Sequence, residues 1–205
     1  MNLKDKVDFI GHFGIKMYKK DGSIEEYEDK NLIMDKARWN MAELVGGWSA
    51  GEPINKFVLG TEGHVGDDIL DYKKVGSDGF DSTRTKLFSE SSGAQHYIIP
   101  FTTSGGGTIE SSGRDKTVNV DTAYNSKDTN TKESCTVKRT VSERTCTYVI
   151  TVPDASGNNS DSATSVIAYT EAALYAGPDI FSMKTFPARV KEDTVKFEIT
   201  WSIIF

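Results

Sequence analysis

The chain has 205 residues, a formal charge of −6, 37% hydrophobic residues and 26% charged ones. That length carries a full core in one domain spanning 1–205. The acidic balance argues against a nucleic-acid or anionic-membrane binder, which needs a clustered positive field; Lys19-Lys20 and Lys138-Arg139 are too short to make one. No stretch approaches the ~18 apolar residues of a membrane span. The start, MNLKDKVDFIGHF, alternates charged with apolar residues and lacks the apolar run of a signal peptide, so synthesis in a cytoplasm without signal-directed secretion is expected. Two cysteines, Cys135 and Cys146, are too few for a disulfide framework and read better as reduced, packed thiols than as a bridge.

In chain order, residues 14–27 predict a hairpin turning at Asp21-Gly22, because glycine tolerates positive φ. Residues 31–45 predict the one good helix, with Met34, Ala37, Met41, Ala42 and Val45 on a face, Asn31 or Asp35 as N-cap and Gly46-Gly47 as stop. Trp39 and Trp48 are expected to wedge that helix onto a sheet. Residues 53–60 predict a strand apolar on both faces. A Gly- and Asp-rich irregular stretch, 61–82, precedes strands at 83–90 and 95–103, the second demoted to an edge or bulge by Pro100. Residues 104–134 are the most polar of the chain and predict an exposed excursion, a contact arm with one short strand near 117–120. Strand pattern returns at 136–152, a turn-rich loop covers 154–162, and 165–169 is a strand. Residues 170–177 admit either one helical turn or an extended turn pair. Strands at 180–186 and 188–190 lead to the last ribbon.

That ribbon, VKFEITWSIIF, organises the rest. Val195, Phe197, Ile199, Trp201, Ile203 and Phe205 occupy every odd position, so one face of a strand is wholly apolar. At ~1.5–3 kcal/mol for each buried side chain, they contribute on the order of 10 kcal/mol before entropy. With Phe181 and Phe186 they are the expected core. Eight to ten strands, one helix and no βαβ alternation predict a mainly β protein, an antiparallel sandwich or jelly-roll-like domain.

Motifs for chemistry are weak. His12, His64 and His96 lack metal-ligand spacing, and the aspartates at 67, 68, 71, 78 and 81 lack an ordered calcium loop, so no metal or cofactor is expected. Gly60-Thr61-Glu62-Gly63-His64 follows a strand but lacks the lysine and helix of a phosphate loop, and the Ser104–Gly107 stretch lacks a helix to bind an anion. No nucleophile has a locally paired base, so the chain is expected not to be an enzyme. Glu171 and Glu198 are the one carboxylate pair worth testing for polysaccharide hydrolysis. Tyr97, Tyr124, Tyr148, Tyr169 and Tyr175 are possible interface anchors or sheet packing, and Tyr124, Arg114 and Lys116 are a possible interface.

Two stretches carry a resemblance. One runs from the hairpin through Asn31-Leu32-Ile33 to Ile54-Asn55-Lys56-Phe57-Val58-Leu59-Gly60-Thr61-Glu62-Gly63-His64. The other comprises Thr170-Glu171-Ala172-Ala173-Leu174, Phe181, Phe186-Pro187-Ala188-Arg189 and the final ribbon. Together, over residues 14–64 and 165–205, the chain resembles small structural proteins of tailed bacteriophage virions. The resemblance implies a β-sandwich subunit in a symmetric particle, contacting copies of itself and other virion proteins, at tail, neck or baseplate in preference to capsid decoration. It makes Glu171, Phe181, Phe186 and Trp201 structural residues. The rival reading is a virion module that binds a host-surface glycan or protein through loops 104–134 and 154–162.

Overall fold

The computed structural model describes residues 9–49, 51–104, 106–158 and 166–205. The chain opens with strands β1 (Ile10–Tyr18) and β2 (Ile24–Ile33), helix α1 (Asp35–Gly46) and β3 (Ile54–Gly60). A small hairpin, β4 (His64–Val65) and β5 (Asp68–Tyr72), and a one-turn helix, α2 (Phe88–Ser92), follow. Then come β6 (His96–Pro100), β7 (Thr108–Ser112), β8 (Asp115–Asn125), β9 (Asp128–Ser142) and β10 (Thr145–Val152). Last are β11 (Ile167–Ala176), β12 (Asp179–Lys191) and β13 (Lys196–Ile204).

All but β4 and β5 lie in one antiparallel sheet of order β6-β3-β11-β12-β2-β1-β13-β10-β9-β8-β7, and β6 also pairs with β8. That extra pairing closes ten strands into a barrel, with β7 as a flap outside the ring. The expected sandwich or jelly roll is therefore corrected to a closed barrel. Sequence alternation reports which face is buried and is identical in the two architectures; curvature comes from register and bulges. β8 carries two such bulges, between Val120 and Ala123 and between Ala123 and Asn125, where it swings from β7 towards β6. Closure is short: only Tyr97 opposite Asn125 and Ile98 opposite Tyr124.

The barrel interior is packed with side chains. Trp201 lies edge-on to Phe13 and Phe57 at ring distances of 5.1 and 6.0 Å, and Phe13 stacks on Phe186 at 5.1 Å. From the last ribbon, Val195, Phe197, Ile199, Trp201 and Ile203 are buried, as are Phe181 and Phe186. Phe205 is half-buried against Phe9 at 5.4 Å. The Trp201 indole donates to Ser182 Oγ at 3.2 Å, which donates to Asn31 Oδ1 at 2.9 Å, and the Asn31 amide donates to the His12 carbonyl at 3.0 Å. Asn31 is thus a buried strut at the end of β2 and not a helix cap; Met34 occupies the N-cap position and Asp35 is the first helical residue, with no side-chain cap.

A second apolar cluster, containing Val58, Phe80, Leu87, Ala173, Tyr175 and Met183, sits outside the barrel. Residues 61–95 fold over the outer face of β3, β11 and β12 and bury it, which explains why β11 and β12 are buried on both faces. Within this segment the predicted strand at 83–90 is instead a turn leading into α2. The segment 170–177 is extended within β11. The predicted breaks at 187 and between 104 and 134 also change. β12 runs through Pro187 at a bulge, where residues 186–188 sit opposite Thr170 alone. The polar stretch 104–134 is no arm: it supplies β7, β8 and the first half of β9, a wall of the barrel. Its inward residues are small (Val118, Val120, Ala123, Cys135) and its threonines suit strands, so it buries a face without looking apolar.

The hairpin at β1–β2 is as predicted, with Gly22 at φ 83° and its N–H donating to the Lys19 carbonyl at 3.0 Å. The helix is shorter than expected because 31–33 belong to β2. Its tryptophans do not wedge it: Trp39 and Trp48 are 71% and 73% exposed. Cys135 and Cys146 are both free thiols. Cys146 lies opposite Val141, six positions along β9 from Cys135, or about 20 Å at strand rise, so no bridge joins them.

Candidate functional site

Three polar constellations stand out, each placed by the barrel. The first fastens the 61–95 segment to the wall. Glu171 is fully buried on the outer face of β11, turned outward by the bulge after Tyr169. Its carboxylate accepts from Phe88 N at 2.9 Å, Ser89 N at 2.7 Å and Ser89 Oγ at 2.6 Å. Ser89 Oγ in turn accepts from Thr61 N and Glu62 N, and Thr170 Oγ1 accepts from Gly63 N at 2.8 Å. Burial raises the Glu171 carboxyl above its ordinary value of 4.5, against donors from Ser89, Phe88 and Glu62. A Cβ on Gly60 would fall 2.5 Å from Glu171 Oε1, and one on Gly63 would fall 2.3 Å from the Thr170 carbonyl. The Gly60–His64 loop and the Thr170-Glu171 pair are therefore two halves of one clasp, and the glycines are there for close approach, not for phosphate. Glu198 faces outward four strands away on β13, near Tyr18; at ~4.8 Å between strands this is far beyond the spacing of a glycosidase pair.

The second constellation plugs the barrel end at which β10 finishes. Lys191 is fully buried, and its ammonium donates to the Asp154 carbonyl at 2.8 Å, Asn158 Oδ1 at 2.9 Å and the Glu192 carbonyl at 3.1 Å. Beside it the Tyr169 hydroxyl donates to the Gly157 carbonyl at 2.7 Å, and Gly157 N donates to Glu133 Oε2 at 2.6 Å. Burial pushes the Lys191 ammonium down from 10.5 to about 8, although Asp154 and Glu133 pull the other way. Between those two values the unfolded chain holds a proton that the folded chain has released, so stability rises with pH across that window. Denaturant unfolding at pH 7.5 and pH 10.5 is expected to show wild type gaining on the order of 2–3 kcal/mol relative to Lys191→Met. Equal slopes for the two proteins would refute the assignment.

The third lies at the opposite end, where β8 leaves β6. A cleft of about 380 Å³ opens there, and its lining includes Ile54, Phe101, Val118, Val137 and Tyr148. It adjoins a shallower recess of about 450 Å³ that reaches Arg114 and Cys146. Phe101 stacks on Tyr148 at 5.8 Å. Cross-strand register sets Ser111, Lys116, Arg139 and Tyr148 in one row across β7, β8, β9 and β10. Lys116 and Arg139 line both hollows. The described residues give neither of these, nor Arg114, a carboxylate partner; Asp115, on the same strand, pairs with Lys138 at 3.3 Å. Asn55 Oδ1 is buried at the lining without a hydrogen-bond partner among the described residues. Burial raises the Cys146 thiol, with Tyr148 and Arg139 opposing, so it is no poised nucleophile.

Of the residues singled out from the sequence, Lys116 lines this cleft and Arg114 only the adjoining recess. Tyr124 lines neither: it sits at the closure with β6, with the Lys132 ammonium 4.2 Å from its ring centroid. Tyr97, Tyr169 and Tyr175 are packing residues. Arg139 and Asn55 were missed; the signal was parity, since Arg139 shares the inward face of Val137 and Cys135. The Ser104–Gly107 stretch does bind an anion, its own: N–H groups of Ser104, Gly106 and Gly107 converge on the Asp121 carboxylate at 2.8, 2.8 and 3.0 Å. His64 and His96 contact neighbouring carbonyls, and among the described residues no group of three or more His, Cys, Asp or Glu is placed to hold a metal. No described helix is long and apolar enough to cross a membrane.

Comparison with protein-family models, with curated proteins and with solved structures gives no match.

Proposed function

We propose that the chain is a non-enzymatic structural subunit of a tailed-bacteriophage virion, working through contacts with copies of itself and with other virion proteins, at tail, neck or baseplate rather than as capsid decoration. The observation that carries the contact role is the apolar surface left on α1 and its exit: Trp39, Val45 and Trp48 are 71%, 84% and 73% exposed, with Leu44 beside them. Large apolar side chains left exposed along one short helix and its exit are candidate contact residues, and tryptophan is among the residues most enriched at the energetic centres of interfaces. The packed barrel interior agrees with a scaffold role. The virion assignment itself rests on the sequence resemblance. The loop-based receptor reading loses its main element, because 104–134 is barrel wall.

Mass spectrometry of purified particles tests the proposal. The expected result is roughly six to twelve copies per particle, as for a closed ring; a count in the hundreds would move the subunit to the capsid surface, and absence would end the virion reading. A Trp39→Ser/Trp48→Ser variant is expected to keep its melting temperature and to be depleted from particles about tenfold or more.

A further inference from the structure

We propose that the cleft between β6 and β8 binds a small organic carboxylate whose body is aromatic or aliphatic. Three observations converge, none of them used by the assembly role. Lys116 and Arg139 are directly opposed across β8 and β9 and both line the cleft, an arrangement that is destabilising when nothing anionic lies between them. No carboxylate among the described residues neutralises them, although the chain as a whole is acidic and has 30 to offer. Below them the floor is apolar and partly planar, made by Phe101 stacked on Tyr148 with Val118 and Val137.

A cleft of about 380 Å³ lies within the ordinary range for small-molecule pockets of roughly 300–1,000 Å³. The geometry dictates the ligand class. A guanidinium and an ammonium side by side select one carboxylate head, the guanidinium offering paired N–H donors. The stacked rings take a flat or extended apolar tail. Asn55 Oδ1, which has no partner among the described residues, accepts a hydrogen bond from a donor on that tail, if it has one.

The test is titration of the full chain with 4-phenylbutanoate, followed by amide chemical shifts. Its uncharged isostere 4-phenylbutanamide and acetate serve as the tail-only and head-only arms. The expected result is saturable binding of one 4-phenylbutanoate, with shifts centred on Lys116, Arg139 and Tyr148, and affinity about tenfold or more above either control. Lys116→Gln/Arg139→Gln is expected to lose that preference while melting at or above the wild-type temperature, since the opposed charges are gone. Single Lys116→Gln provides the same comparison should the double variant not fold. Equal affinity for acid and amide, shifts centred on α1 instead, or no saturation by about 10 mM would each overturn the proposal.

Discussion

Glu171→Ala is expected to unfasten the 61–95 segment from the barrel and to destabilise the chain by about 3–5 kcal/mol. The carboxylate holds two backbone N–H groups and a hydroxyl, those of Ser89 buried and that of Phe88 partly so. Its removal leaves these donors orphaned, at ~1–3 kcal/mol each before relaxation. The Gly60 and Gly63 approaches lose their reason at the same time. Glu171→Gln is nearly isosteric but aims an amide donor at N–H donors, so it is expected to recover less than half the loss. The readouts are melting temperature and protease sensitivity within 61–95. A melting temperature within about 2 °C of wild type, with 61–95 still protected, would show that the clasp is not what holds the segment. Acid adds a sign: between 4.5 and its raised folded value, the folded chain keeps a proton that the unfolded chain gives up. The stability tied to this group therefore falls as pH rises through that interval, and the alanine variant lacks the effect.

Trp201→Ala is expected to cost about 3–5 kcal/mol, the range for deleting a large aromatic side chain from a packed core. The indole touches Phe13 and Phe57 and has no accessible surface. Its loss also strips Ser182 of a donor in the chain of hydrogen bonds to Asn31 and His12. Trp201→Phe separates the two contributions: it keeps most of the volume and loses the N–H, so about 1–2 kcal/mol is expected. At ~2–4 °C per kcal/mol for a chain of this size, alanine lowers the melting temperature by roughly 10 °C. An unchanged melting temperature would mean that the last strand does not anchor the core.

Where a single face is both long and apolar, the sequence was legible. The final ribbon shows its inward set at every second residue, and the hairpin announces its turn through Asp21-Gly22. Where the inward side chains are small or the outward ones numerous, legibility fails. In β8 and β9 the buried Val118, Ala123 and Cys135 are outweighed by Thr, Asn, Lys and Asp facing out, so a wall of the barrel read as an arm. At 31–33 two periods overlap: Asn31, Leu32 and Ile33 end a strand, while Met34 and Ala37 begin a helix. Closure was illegible in principle, since it rests on two residue pairs between β6 and β8. The candidate cleft was half legible. Lys116 drew attention in a polar stretch, with Arg114 of the adjoining recess, while Arg139 hid in the pair Lys138-Arg139, one member of which faces out to Asp115.

The position of β13 between β1 and β10 has a consequence for biosynthesis. A ribosome delivers β13 long after β1, on the order of ten seconds or more later at ordinary rates of synthesis. Throughout that interval the flank of β1 that will receive Ile199, Trp201 and Ile203 has no mate, and β10, once made, is equally bare. The nascent chain therefore carries adhesive borders until β13 emerges to fill the gap between them. Crowded polysomes and truncated products are the circumstances in which those borders meet the wrong neighbour.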